Sequence, residues 1–139
     1  MEESISMKEF DFSVNPQQYS PLTLAYIGDA VYELYIRTYI MHNCNMPVSK
    51  LHKASTHYVS AKAQADIIKK IMDKLSEDEI SAYKRGRNAH SYTSAKNADI
   101  IDYRMATGLE ALMGYVYVKK DMNRLEEIIS LCIKAREEE

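Results

Sequence analysis

Apolar residues recur at helical spacing along most of the chain, and strict alternation of the kind that marks a strand is nearly absent. Ser20-Pro21 reads as a helix start, with serine in the capping place and proline at the first helical position, where its missing N–H costs nothing. A helix is expected from Pro21 to about Met41, with Leu24, Ile27, Val31 and Leu34 on its apolar stripe. Asn43 to Pro47 breaks it. An amphipathic segment follows from Ser49 to Tyr58, and Ser60 caps a further helix through Ile67, Ile68, Ile71 and Leu75. Ser76 and Glu79 form an S-x-x-E box, in which each satisfies a helix-end donor of the other. That short helix is expected to end near Gly86 in a left-handed cap. Arg87 to Asn97 reads as a polar loop, mobile without substrate. Asn97 or Ala98 then opens a helix to about Lys119, and a last helix spans about Asn123 to Glu138. The expected fold class is all-α, with roughly six helices.

Composition narrows this picture. At 139 residues the chain has room for one domain, with residues 1–19 a polar lead-in and 20–139 the folded unit. Four glycines and three prolines are too few for the tight turns of an all-β sandwich or barrel. Two cysteines, Cys44 and Cys132, both expected to be buried thiols, exclude a disulfide scaffold and suit a reducing cytoplasm. The acidic stretch from Met1 to Phe10 does not read as a secretory signal, and no apolar run approaches the roughly 18 residues of a membrane span, so no membrane partner is expected.

Charge changes the picture more. A net charge of −2 excludes a uniformly basic nucleic-acid binder, yet the charges are segregated. Met41 to Ala65 holds no acid but carries Lys50, Lys53 and Lys62; Ser81 to Ala98 holds none but carries Lys84, Arg85, Arg87 and Lys96. Such a split makes either a phosphate-binding face or an ordinary solvated one. The histidines at 42, 52 and 57 lack the partners of a zinc site. Of the eleven tyrosines, Tyr26, Tyr32 and Tyr115 lie on apolar helices and read as core or interface.

Two carboxylates stand where the chain tolerates them least. Asp29 is the only acid or base of ordinary charge between Pro21 and Tyr32, and Glu110 the only one between Met105 and Val118. Burying such a group costs several kcal/mol unless something compensates it. Each acid either pairs with a nearby arginine, Arg37 or Arg104, or emerges at the solvent edge of its helix, or the two helices cross and offer both acids to one divalent cation. Hard oxygen ligands completed by water and phosphate suit Mg²⁺. Spacing alone leaves these alternatives open.

The run Leu24-Ala25-Tyr26-Ile27-Gly28-Asp29-Ala30-Val31-Tyr32-Glu33-Leu34 resembles the first catalytic motif of the ribonuclease III family, and Leu109-Glu110-Ala111-Leu112-Met113-Gly114-Tyr115-Val116-Tyr117 resembles its second. Between them, Ser60-Ala61-Lys62-Ala63-Gln64-Ala65 and Lys84-Arg85-Gly86-Arg87-Asn88-Ala89 are similar to segments of the small Mini-RNase III subgroup. The resemblance implies a homodimeric helical endonuclease that cuts double-stranded RNA with Mg²⁺ and leaves 5′-phosphate and 3′-hydroxyl ends. It also implies trimming of precursor 23S ribosomal RNA, with a large-subunit ribosomal protein as a candidate further partner. Only 29 residues follow Glu110, too few for the separate RNA-binding domain that the subgroup lacks.

Carried over residue by residue, Asp29 and Glu110 are the catalytic metal ligands, and Tyr26 holds the place of an aromatic plug into the partner subunit. Lys50, Lys53, Ser60, Lys62, Lys84, Arg85, Arg87 and Asn88 are the candidate RNA contacts. Full-length ribonuclease III has four acids per site, whereas here Ala25 and Thr107 stand where two of them would be. That thins the ligand set and favours one Mg²⁺, with Thr107 and Glu33 in supporting places. The runner-up readings are a double-stranded-RNA-binding module that does not cut, and a helical interaction protein without RNA.

Overall fold

The structure, a computed structural model, describes residues 15–89 and 98–138. Six helices make it up: α1 (Pro21–Asn43), α2 (Val48–Val59), α3 (Ala61–Ile71), α4 (Glu77–Asn88), α5 (Ala98–Val118) and α6 (Met122–Glu137). Short 3-10 turns occupy Pro16–Gln18 and Met72–Lys74, and no strand occurs among the described residues. The fold is all-α, as the periodicity requires.

Helix α5 occupies the centre for a reason visible in its composition. From Met105 onward α5 is apolar on nearly every side, and such a stretch can satisfy itself only inside a protein. Leu109, Ala111, Leu112 and Met113 are fully buried, with Val116 and Tyr115 nearly so. Helices α1 and α4 pack against it most extensively, then α3 and α6, while α2 packs on α1 and α3. Those outer helices are one-sided. Helix α6 buries Leu125, Ile128, Ile129, Cys132 and Ala135, and α4 buries Glu79, Ala82, Tyr83 and Gly86, each at three- and four-residue spacing. No helix among the described residues is long and apolar enough to cross a membrane.

Helix ends follow local rules. The Ser60 hydroxyl accepts the Ala63 N–H at 3.1 Å and starts α3. The Ser76–Glu79 capping box forms in both directions, at 3.2 and 2.8 Å. Between α5 and α6 the chain turns through Lys120, at a left-handed φ of 62°.

Four expectations need correction. Gly86 does not end α4, because no glycine takes a positive φ and the helix continues to Asn88. Gly86 instead faces α5, where an added Cβ would lie 2.5 Å from that of Ala111. Arg87 and Asn88 consequently belong to α4, and the rest of the expected mobile loop, 90–97, lies outside the described residues. Leu34 is 65% exposed, because α1 turns Leu24, Gly28, Val31, Tyr32 and Ile36 inward and carries Leu34 round to the opposite side. Cys132 is buried but Cys44 is exposed, beyond the last turn of α1.

Candidate active site

Helices α1 and α5 run antiparallel and touch backbone to backbone. A Cβ on Gly28 would lie 1.7 Å from the Glu110 carbonyl oxygen, and one on Gly114 would lie 1.9 Å from the Leu24 carbonyl oxygen. Only glycine permits so close an approach at both places. The next residue along α1 is Asp29, and the residue that Gly28 touches on α5 is Glu110. Their side chains leave the same seam, and the Asp29 carboxyl stands close enough to act on that of Glu110. Asp29 is exposed and Glu110 half-buried.

The electrostatics follow from that meeting. Burial, then the hydrogen bond and charge of Asp29, then the charge of Glu33 push the Glu110 carboxyl up to about 8. Neither arginine offered by the sequence relieves it. Arg37 reaches Glu33 instead, one turn along α1, at 3.8 Å, and Arg104 forms no ion pair among the described residues. Two hard oxygen donors lie beside one another with no cation from those residues between them, a donor set that fits a divalent ion. No group of three or more potential ligands occurs among the described residues. Ala25 is buried and brings no oxygen. Thr107 is buried too, and its hydroxyl donates to the Tyr103 carbonyl at 3.0 Å. A cation held here would therefore take most of its ligands from water or substrate.

The candidate RNA contacts divide. Lys50 and Lys53 on α2 and Lys84 and Asn88 on α4 are exposed. Lys62 is exposed but paired with Asp66 at 3.4 Å, and Ser60 is engaged as the cap of α3. Arg87 lies over the Tyr83 ring, 5.6 Å from its centre, and its Nε donates to Asn88 at 3.1 Å. Arg85 is turned inward: its guanidinium donates to the carbonyls of Gln17 and Tyr19, at 2.8 and 3.0 Å, and ties the chain before α1 to α4. Tyr26 is 81% exposed, and it shares the outward face of α1 with Ala30, Leu34 and Met41, a face that the exposed Arg37 interrupts.

Long-range polar links escaped the sequence reading. Arg124 of α6 grips both carboxylate oxygens of the buried Glu79, each at 2.8 Å, and also the Lys74 carbonyl at 2.9 Å. Glu137 of α6 accepts from the hydroxyls of Tyr39 and Tyr58. Nothing local announces such pairs, because the partners stand 45 to 98 residues apart.

Known proteins share this plan. Residues 22–121 match the family model described as Ribonuclease III domain. The chain is 54% identical over 123 residues to the Mini-ribonuclease 3 of Clostridium tetani, covering 88% of this chain and 82% of that protein. It is 51% identical over 120 residues to the Mini-ribonuclease 3 of Enterococcus faecalis, covering 85% of this chain and 91% of that one. Among solved structures, the crystal structure of a Fusobacterium nucleatum protein superposes with a TM-score of 0.76 at 34% identity, covering 88% of this chain and 98% of that one.

Proposed function

This chain belongs to the ribonuclease III family, in its Mini-ribonuclease III subgroup, and from that membership we propose that it cuts duplex RNA with one Mg²⁺ held between Asp29 and Glu110. That it is an endoribonuclease of double-stranded RNA follows from the family. The metal, the products and the substrate are our reading, and the observation that carries it is the uncompensated meeting of the two carboxyl groups. When bound, the ion supplies Lewis acidity toward a water and a phosphate oxygen.

The protein's own residues do the rest. Asp29 and Glu110 are ligands rather than nucleophiles, and the glycine seam holds them on rigid helices, so that little ordering is left to be done at the moment of reaction. Glu110, largely protonated below about pH 8, must give up its proton to serve as a ligand. Glu33 adds negative potential beside the pair, and Arg37 tempers it. The duplex is held by Lys50, Lys53 and Lys84 through its phosphates, as A-form RNA is read mostly by shape and backbone. The outward face of α1 that carries Tyr26, Ala30, Leu34 and Met41 pairs two copies, so that each strand meets one site. The products carry 5′-phosphate and 3′-hydroxyl ends, and the substrate is precursor 23S ribosomal RNA in the cytoplasm.

The test is end-mapping of precursor 23S RNA after incubation with the protein and Mg²⁺. Discrete staggered cuts that vanish in Asp29→Asn while duplex binding persists are the expected result. Absence of cutting with any divalent ion would leave a binding module.

A further inference from the structure

The last turn of α2 is gripped from three sides. The final carbonyls of a helix have no partner within it, and here three other helices supply them. Arg136 Nε of α6 donates to the His57 carbonyl at 2.6 Å, the Tyr32 hydroxyl of α1 to the Tyr58 carbonyl at 2.8 Å, and Gln64 Nε2 of α3 to the Val59 carbonyl at 2.9 Å. Outside this ring the hydroxyls of Tyr58 and Tyr39, from α2 and α1, both donate to the same Glu137 oxygen, Tyr58 at 3.0 Å. The other end of α2 is held far less. Pro47 provides no side-chain cap, and Val48 is 67% exposed.

Lys50 and Lys53 sit in the loosely held half. With a rise of about 1.5 Å per residue, a tilt of roughly 10° at Val59 would move Lys50 by about 2 Å, enough to misplace a phosphate contact. Where these lysines stand relative to Asp29 and Glu110 is therefore decided at the far end of the helix. We propose that Glu137 is a positioning residue for duplex RNA, setting through Tyr39 and Tyr58 the angle at which α2 presents Lys50 and Lys53. This rests on α2 facing RNA, as read above.

Sign separates this role from simple electrostatics. Glu137 is an anion on a protein that binds a polyanion, so loss of its charge alone would tighten binding. Loss of its grip weakens binding instead. The measurement is fluorescence anisotropy of a labelled duplex RNA of two helical turns, titrated with the full chain in an Asp29→Asn background at fixed salt. Glu137→Ala and Tyr58→Phe are expected to weaken binding about threefold to tenfold, the scale of one lost hydrogen bond. Glu137→Gln, which keeps an acceptor oxygen, is expected to restore most of it. With Asp29 intact, the same variants raise KM and leave kcat unchanged. Tyr39→Phe, a single-hydroxyl deletion, serves where Glu137→Ala folds poorly. Binding by Glu137→Ala that is equal to the parent or tighter overturns the proposal. Lys50→Ala and Lys53→Ala mark the boundary with the functional reading. If they too bind normally, α2 does not face RNA and this proposal falls together with the reading of Lys50 and Lys53 as RNA contacts; if they weaken binding while the Glu137 and tyrosine variants do not, only this proposal falls.

Discussion

The carboxyl groups of Glu110 and Asp29 meet across the α1–α5 seam without a cation from the described residues between them. This has a direct thermodynamic consequence. Below pH 4.5, the ordinary value for glutamate, Glu110 holds its proton folded or unfolded and contributes no pH dependence. Above it the unfolded chain ionises while the folded one keeps the proton, so metal-free stability falls as pH rises toward about 8. Thermal unfolding in EDTA from pH 5 to 9 is expected to show this decline, and Glu110→Gln to flatten it. Added Mg²⁺ raises Tm more at pH 8 than at pH 6, because the ion competes with the proton.

Catalysis should depend on both acids alike. Asp29→Asn and Glu110→Gln are each expected to lose about 100-fold or more in cleavage rate, the several kcal/mol that an ill-held metal forfeits. Duplex binding in the two variants stays near that of the parent. Single-turnover cleavage measured beside anisotropy checks both halves, and a Glu110→Gln protein that still cuts would remove it from the ligand set.

Arg85 belongs to the fold before it belongs to RNA. Its guanidinium is spent on the Gln17 and Tyr19 carbonyls, so Arg85→Ala should cost about 1.5–3 kcal/mol in urea unfolding. Duplex affinity of the folded variant should change little, whereas Lys84→Ala weakens it and lowers the salt dependence.

The Arg124–Glu79 pair closes the start of α4 onto α6, and Glu79 is almost fully buried. Leaving that acid without its partner is expected to cost about 3 kcal/mol in Arg124→Ala, and Glu79→Gln in the same chain to recover part of it. The Arg124 hydrogen bonds hold the Glu79 carboxyl below its usual range. Its contribution is therefore present above the ordinary glutamate value and is lost as pH falls through the depressed one. Urea unfolding at pH 3 and pH 7 resolves it.

Tyr26 and Leu34 should decide the assembly state. Tyr26→Asp is expected to convert dimer to monomer in sedimentation equilibrium, with Tm lower by a few degrees and cutting of one strand rather than two. A parent chain that sediments as a monomer at the same concentration would end the two-copy reading.

How much of this was legible depends on the range of each signal. The Ser76–Glu79 box and the Ser60 cap act within one turn, and the structure keeps them, whereas at Ser20-Pro21 it keeps the helix start and the proline but Ser20 makes no side-chain cap. Asp29 and Glu110 stood out because each interrupts a long uncharged run, and their meeting follows from the small residues beside them. Gly86 misled because glycine after a periodic run is a common helix stop, while its actual neighbours, Gly108 and Ala111, lie more than twenty residues away. Leu34 misled because a 23-residue helix carries two apolar stripes, and spacing does not say which one faces the core. Arg85 and Glu137 were beyond reach, since a charge count cannot see a carbonyl or a tyrosine brought in from another helix.

One strut, α5, both fills the interior and carries Glu110. A random library aimed at new cleavage preferences would lose most of its members to collapse if it were spread along that helix. Diversification confined to the outward residues of α2 and α4 leaves the scaffold untouched, and directed evolution of this chain should find its productive changes there.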